Sequence, residues 1–231
     1  MMKFEEEAKK IYDELKEFTI IPEKRFVENL CYANWLNYQQ DFPNGSIVEC
    51  GVWRGGMSAG FLQIFGSERS YLLFDSFAGL PEPSPNDGED ARWWFKNPDH
   101  PRNFNNCTAP KSYVKKLFDN EISKGTDVLI AEGWFAETLP KISIKPIAFL
   151  HLDCDWYDSN YTCLQRLWPH ILPGGAIIID DYFDWEGCRR SLHDFLSANR
   201  ARESIERVGL TGGALIRRRG PWDISESPHL M

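Results

Sequence analysis

The chain has 231 residues, a length that suits one α/β domain with a substantial core. Its 42% hydrophobic and 26% charged residues are those of a folded globular protein, not a disordered one. A net charge of −8 removes the basic field that a nucleic-acid or anionic-membrane partner requires.

The chain opens on "MMKFEEEAKKIYDELKEF", an acidic–basic amphipathic helix without the apolar core of a signal peptide. No apolar stretch is long enough to span a bilayer. Residues 3–17 and 22–40 read as two helices, with Pro22 in a first-turn position. Short apolar runs separated by helical segments follow. Strands are expected at 46–50, 70–75, 126–132, 146–153 and 175–180, and helices at 55–65, 158–170 and 184–199. The tail "SIERVGLTGGALIRRR" alternates apolar and polar residues around Gly212-Gly213, which predicts a closing antiparallel hairpin. Alternating strands and helices with near-continuous apolar strands mean a mostly parallel sheet covered on both faces. Residues 79–110 break the rhythm. They are rich in Pro, Asn and Asp and carry Trp93-Trp94, the pattern of a lid-like insertion in a single domain spanning 1–231.

Six cysteines, Cys31, Cys50, Cys107, Cys154, Cys163 and Cys188, form no C-x-x-C pair, and several sit in apolar runs. Buried free thiols in a reducing, cytoplasmic compartment account for them better than disulfides or a zinc site.

Two strands end in carboxylates. "FLHLDCDWYDS" places Asp153, Asp155 and Asp158 after one apolar run, and "GGAIIIDDY" places Asp180 and Asp181 after another. If the two strands are neighbours, Asp153, Asp180 and Asp181 converge at one sheet edge. Crowded carboxylates need a proton or a cation. Three oxygen donors with no nearby Cys or His ligand set suit a hard divalent cation, Mg²⁺. Helix capping is the competing role; it fits Asp158 best, leaves Asp155 open, and does not explain an adjacent Asp pair.

"VECGVWRGGMS" follows the first strand, where doubly wound sheets bind ligands. Its spacing, E-x-G-x-x-x-G-G, is not the G-x-G-x-x-G of dinucleotide binders, and helix–strand packing explains such glycines equally well. Asp75 ends the next strand, in place to accept from a ribose diol or to cap a turn. A nucleoside without a pyrophosphate fingerprint shifts the expectation from NAD to S-adenosylmethionine. Arg54, in the glycine loop, is the best placed of Arg54, Arg92 and Arg102 to meet an anionic group.

The stretches "VECGVWRGG", "LFDSFAGLP", "GWFAETLP", "LDCDWYDSNYTCLQRLWPHILPGG" and "IIIDDY" together resemble the macrocin O-methyltransferase family, over about residues 45–195. The resemblance implies a class I methyltransferase sheet, S-adenosylmethionine, Mg²⁺ and a sugar hydroxyl as methyl acceptor. It implies a metal site at Asp153, Asp180 and Asp181, with Asp153 also in deprotonation. Cofactor contacts are implied at Glu49, Gly51, Asp75 with Ser76 beside it, and Trp134 and Phe135 flanking adenine; for the two aromatics helix-start packing weighs equally. "DSNYT" departs from the family's pattern after the Tyr, and the lid departs most. His100, in the lid, lies near the family's candidate catalytic His and suits proton transfer near neutral pH. His151 reads as a hydrogen-bonded core residue, and His170, His193 and His229 as structural or exposed. Trp93 and Trp94 either stack on a substrate ring or fasten the lid.

The leading expectation is therefore an S-adenosylmethionine- and Mg²⁺-dependent O-methyltransferase of a small hydroxylated substrate. A catechol-type acceptor or a non-catalytic nucleoside-binding module are the alternatives. Helices 3–40 either cover the cofactor or form the contact of a homo-oligomer.

Overall fold

The computed structural model describes residues 2–101 and 103–220; Arg102 and His229 lie outside the described residues. Two helices, α1 (Met2–Leu15) and α2 (Glu23–Asn37), precede the first strand, β1 (Ser46–Cys50). Then come α3 (Gly56–Phe65), β2 (Tyr71–Asp75), α4 (Gly88–Phe95), α5 (Ser112–Ser123), β3 (Val128–Glu132), α6 (Phe135–Thr138) and β4 (Ile147–Leu152). The chain continues through α7 (Tyr157–Leu167), β5 (Ile171–Ile179), α8 (Glu186–Ala198), β6 (Glu206–Arg207) and β7 (Ala214–Arg217).

The strands form one sheet in the order β3-β2-β1-β4-β5-β7-β6. β1 to β5 pair in parallel, and β7 joins β5 antiparallel, closing with β6 as the predicted hairpin. This is the expected class I arrangement. Period-two alternation sorts the core. Ile47, Leu73, Phe149 and Ile178 face α1, α2, α3 and α5, while Val48, Phe74, Leu150 and Ile177 face α7 and α8. Among the described residues no helix is long and apolar enough to cross a membrane. All six cysteines are free.

Chain order reverses at β1, whose neighbours are β2 and β4, so the crevice opens between the carboxyl ends of β1 and β4. There the Asp153 N–H donates to the Cys50 carbonyl at 2.9 Å. The two loops touch because Gly51 has no side chain: φ is +88°, and a Cβ would sit 1.7 Å from the Asp153 carbonyl oxygen.

Two elements lie outside the expected pattern. Helix α5 was not foreseen, although Val114, Leu117 and Phe118 stand at helical spacing and pack on the core. The 79–110 segment is not an unstructured loop. Ser84 and Asp87 form a capping box ahead of α4, and Asp87 also accepts the Tyr157 N–H at 2.6 Å, tying the segment to the start of α7.

The Gly51 contact makes a prediction. Gly51→Ala meets both a left-handed φ and a backbone clash, and should cost at least about 2 kcal/mol in urea unfolding, against well under 1 kcal/mol for Gly220→Ala, where φ is not left-handed and a Cβ would meet only Pro173 at 3.8 Å. Equal, small losses would mean that the two loops separate freely.

Candidate active site

Three adjoining cavities open at this crevice, all sharing Gly51 and Asp153 in their walls. The small one, about 40 Å³, gathers Gly51, Asp75, Ser76, Trp134 and Phe135. Asp75 holds the loop after β1 in place. Its Oδ2 accepts the Val52 and Trp53 N–H groups, each at 2.7 Å, and its Oδ1 accepts that of Phe77 at 2.6 Å. Burial raises its pKa against the opposing pull of those three bonds. Ser76 donates to the Gly79 carbonyl at 2.9 Å and so braces the turn into the lid. Trp134 is 40% exposed at the start of α6.

Glu49 lines the third cavity, yet its carboxylate is committed inside the sheet. It accepts from Ser58 and lies 2.8 Å from Nδ1 of His151, its register partner on β4. His151 is a buried core histidine, as its sequence position suggests, and it also faces Asp180, with Nε2 3.6 Å from Oδ1. Burial would lower its pKa, but Asp180 and Glu49 outweigh it and raise it to about 9. Arg54 lines none of the three cavities. Its guanidinium lies 4.3 Å from the Trp53 ring centre and 4.8 Å from that of Tyr113, and donates to the Glu17 carbonyl.

β4 and β5 are neighbours, so their terminal carboxylates meet as the sequence pattern requires. They divide into two groups. Asp180 is compensated: Arg25 Nη1 reaches its Oδ2 at 2.9 Å and Asn29 donates to Oδ1 at 3.2 Å. Burial would raise its pKa, but His151 and Arg25 hold it below the usual range. Asp153, Asp155 and Asp181 are not compensated; one carboxylate oxygen from each lies within 4.8 Å of the others. Burial, and then the neighbouring carboxylates, push Asp153 and Asp181 well above the usual range. Burial raises Asp155 to about 7 despite the 3.0 Å hydrogen bond from Trp185 Nε1. Asp181 Oδ2 is buried without a hydrogen-bond partner. Asp158 is exposed in the first turn of α7, where its charge suits the helix N-terminus.

The largest cavity, about 760 Å³, runs from these acids out to the lid. His100 lines it, its ring 5.5 Å from that of Trp93, which is 56% exposed. Trp94 packs with Trp156 and Trp185 and fastens the lid. Of the pair, Trp94 takes the fastening role and Trp93 keeps an exposed ring at the cavity. His193 is bonded to the Tyr182 hydroxyl at 2.7 Å, and His170 is exposed. Sequence reading missed Arg25, Asn29, Phe104, Asp184 and Trp185. For Arg25 and Asn29 the only signal was a basic and an amide residue at i, i+4 on one helix.

The profile of the macrocin O-methyltransferase (TylF) family matches residues 14–218. Over 198 residues the chain is 32% identical to 8-demethyl-8-(2,3-dimethoxy-alpha-L-rhamnosyl)-tetracenomycin-C 4'-O-methyltransferase of Streptomyces olivaceus, covering 84% of this chain and 73% of that protein. It is 31% identical over 155 residues to demethyldecarbamoylnovobiocin O-methyltransferase of Streptomyces niveus, covering 65% of this chain and 58% of that protein. Among solved structures it resembles the O-methyltransferase NovP, with a TM-score of 0.67, 25% identity and coverage of 84% and 81% of the two chains. The calicheamicin methyltransferase CalS11 shares the fold, with a TM-score of 0.63, 18% identity and coverage of 92% and 91%.

The raised Asp155 predicts a pH effect. With its folded pKa near 7 and an unfolded value of about 4, the folded protein holds a proton that the unfolded chain releases, so stability is lost as pH rises through that interval. Asp155→Asn, which can still accept from Trp185 and tolerates the local φ of +52°, removes this loss. In metal-free buffer its Tm should exceed that of the parent by several degrees at about pH 8, a gain of up to about 4 kcal/mol, and by much less at about pH 5. A gap that is the same at both pH values would refute the charge argument.

Proposed function

The chain belongs to the macrocin O-methyltransferase family, and from that premise we propose that it methylates a sugar hydroxyl of a glycosylated natural product, using S-adenosylmethionine and Mg²⁺. The observation that carries the reading is the junction of Gly51 with Asp153: the crevice beside Asp75 and a carboxylate edge share walls in one cavity system. The names of the two curated relatives add the acceptor class, since one acts on a rhamnosylated tetracenomycin and the other on a novobiocin precursor.

We assign the cofactor's nucleoside to the wall formed by Asp75, Ser76, Trp134 and Phe135. Three N–H bonds leave the Asp75 carboxylate a lone pair on Oδ1 for a ribose hydroxyl. Trp134, half-exposed at the start of α6, offers a ring face to adenine. Glu49 acts from behind this wall by fixing Ser58 and His151, and Arg54 by bracing Trp53. We assign Mg²⁺ to Asp153 and Asp181, with Asp155 completing the group that this geometry gathers and Asp180 beside it. The fit rests on an all-oxygen donor set and on the unpartnered Oδ2 of Asp181.

When bound, the cofactor offers an electrophilic methyl group and Mg²⁺ acidifies a hydroxyl near it. This chain's residues do the rest. With the cofactor bound, Asp153, at the meeting point of the three cavities, would accept the hydroxyl proton released as the methyl group passes from sulfur to oxygen. His100 is the lid's candidate for the same proton. Trp93 and Phe104 present exposed rings along the outer wall, suited to the apolar face of a sugar or its aglycone.

Calorimetric titration tests this reading. S-adenosylhomocysteine should bind saturably and NAD should not. Asp153→Asn should keep S-adenosylhomocysteine affinity within about threefold and lower methyl transfer to a deoxysugar glycoside by about 10²–10³. Turnover of simple phenols but of no glycoside in an acceptor panel would overturn the sugar assignment.

A further inference from the structure

Helix α2 reaches the carboxylate edge with one cation. Arg25 Nη1 meets Asp180 Oδ2 at 2.9 Å, and Nη2 meets Asp184 Oδ2 at 2.6 Å. Its Nε donates to the Thr211 carbonyl at 2.9 Å, in the turn of the β6–β7 hairpin. Glu28 holds that same turn by accepting the Leu210 and Thr211 N–H groups, so the guanidinium is anchored from two sides. The Arg25 side chain is 16% exposed and that of Asp180 is 3% exposed. Asp153, Asp155, Asp180, Asp181 and Asp184 all line the large cavity. Among the described residues Arg25 is the only Lys or Arg in that wall.

A carboxylate group of this density has two ways to stay together: a cation of the protein's own, or one taken from solution. The fork geometry gives the first to Asp180 and Asp184. The remaining trio is left for the second. A fixed positive charge so close to a bound cation also repels it, so the two kinds of compensation oppose each other.

We propose that Arg25 is the resident counter-ion of the acid edge. It positions Asp180, holds the edge together when no divalent cation is bound, and weakens the hold on that cation when one is. The proposal rests on the reading that a divalent cation binds at these aspartates. It assigns helix α2 a part in setting cation affinity, beyond covering the core.

The test uses the full chain with Arg25→Gln and Arg25→Lys. Thermal unfolding is followed in EDTA and in excess Mg²⁺, and Mn²⁺ affinity by calorimetry. Arg25→Gln should melt several degrees lower than the parent in EDTA and recover most of that loss in Mg²⁺. It should bind Mn²⁺ about tenfold more tightly, the effect of removing one nearby positive charge. Arg25→Lys keeps the charge without the fork and should resemble the parent in Mn²⁺ affinity and in the size of its Mg²⁺ response. A variant folded only in Mg²⁺ supports the proposal equally. Destabilisation of Arg25→Gln by the same amount with and without Mg²⁺, unfolding under both conditions, or an unchanged or weaker Mn²⁺ affinity would reduce Arg25 to a clamp between α2 and the hairpin and overturn it. A parent protein that binds no Mn²⁺ overturns the cation reading itself, and a parent that binds it beside an unresponsive variant overturns only the role of Arg25.

Discussion

Like-charge repulsion at two adjacent strand ends is the constraint around which this molecule is arranged. Asp153 follows β4, Asp180 and Asp181 follow β5, and parallel pairing brings them together whatever else the chain does. Compensation falls on Asp180 and comes from two layers, Arg25 and Asn29 from α2 and His151 from inside the sheet. The Glu49–His151 pair is part of the same solution. A carboxylate buried on the apolar face of β1 is costly alone. Opposite a histidine that also faces Asp180, it becomes half of a charge chain running from β1 to the acid edge. What the protein leaves uncompensated is Asp153, Asp155 and Asp181, and it is there that carboxylate pKa values are pushed furthest up. Charge left unpaired in an otherwise well-paired edge is kept there at the expense of stability, and so singles these three acids out as the candidates for chemistry.

The backbone around the crevice shows the same trade. Trp53 after β1, Phe77 after β2 and Asp155 after β4 all have φ near +50°, a conformation that costs bulky L-residues about 1–2 kcal/mol. Each is held by a specific bond. Asp75 takes the N–H of both Trp53 and Phe77, and Trp185 takes the Asp155 carboxylate. The lid repeats the device in four consecutive residues, Phe104 to Cys107, all left-handed. Asn103 Oδ1 accepts the Asn106 N–H at 2.6 Å, and Asn106 exchanges bonds with Leu80 in both directions. Asparagine tolerates this region better than most residues, so two of the four positions suit it. Phe104 does not, and it is the one that carries an exposed ring to the cavity.

Much of this was legible in the sequence because parallel strands buried on both faces leave a plain signature. The run "SIVEC" became β1 without a shift of boundary, and "PIAFLHLD" and "GAIIID" became the two strands that carry the acids. The hairpin followed from alternation around two glycines. Helix α5 is hard to read because its apolar stripe is short, Val114, Leu117, Phe118 and Ile122, between charged residues on its other face. Helix α4 is hidden behind the Pro and Asp residues of the capped 3₁₀ turn, Pro85–Asp87, that leads into it. In the site, residue type located the acids, but the side chains' partners were beyond reach. Nothing local distinguishes Asp180, which meets an arginine 155 residues away, from Asp181, which does not. Arg54 shows the converse: proximity to the glycine loop in sequence pointed to a ligand, while the structure packs the guanidinium between two rings.

The glycine stretch itself explains why the N-terminal helices belong to the site. Its glycines serve close backbone packing at two places. Gly51 lets the loops after β1 and β4 touch. Gly56 instead admits the N-terminal segment, since a Cβ there would lie 2.6 Å from the Phe18 carbonyl oxygen, and Gly60 lies against Phe26 and Leu30 of α2. Close packing on α3 therefore fixes where α2 lies, and the position of α2 fixes where Arg25 and Asn29 emerge. Ile20 and Ile21, on the segment between the two helices, line both the largest and the third cavity. A change at Gly56 or Gly60, remote from any carboxylate, acts on the acid edge through the helix that compensates it. The helical extension is thus not a cover laid over a finished domain, because without it Asp180 has neither its arginine nor its asparagine.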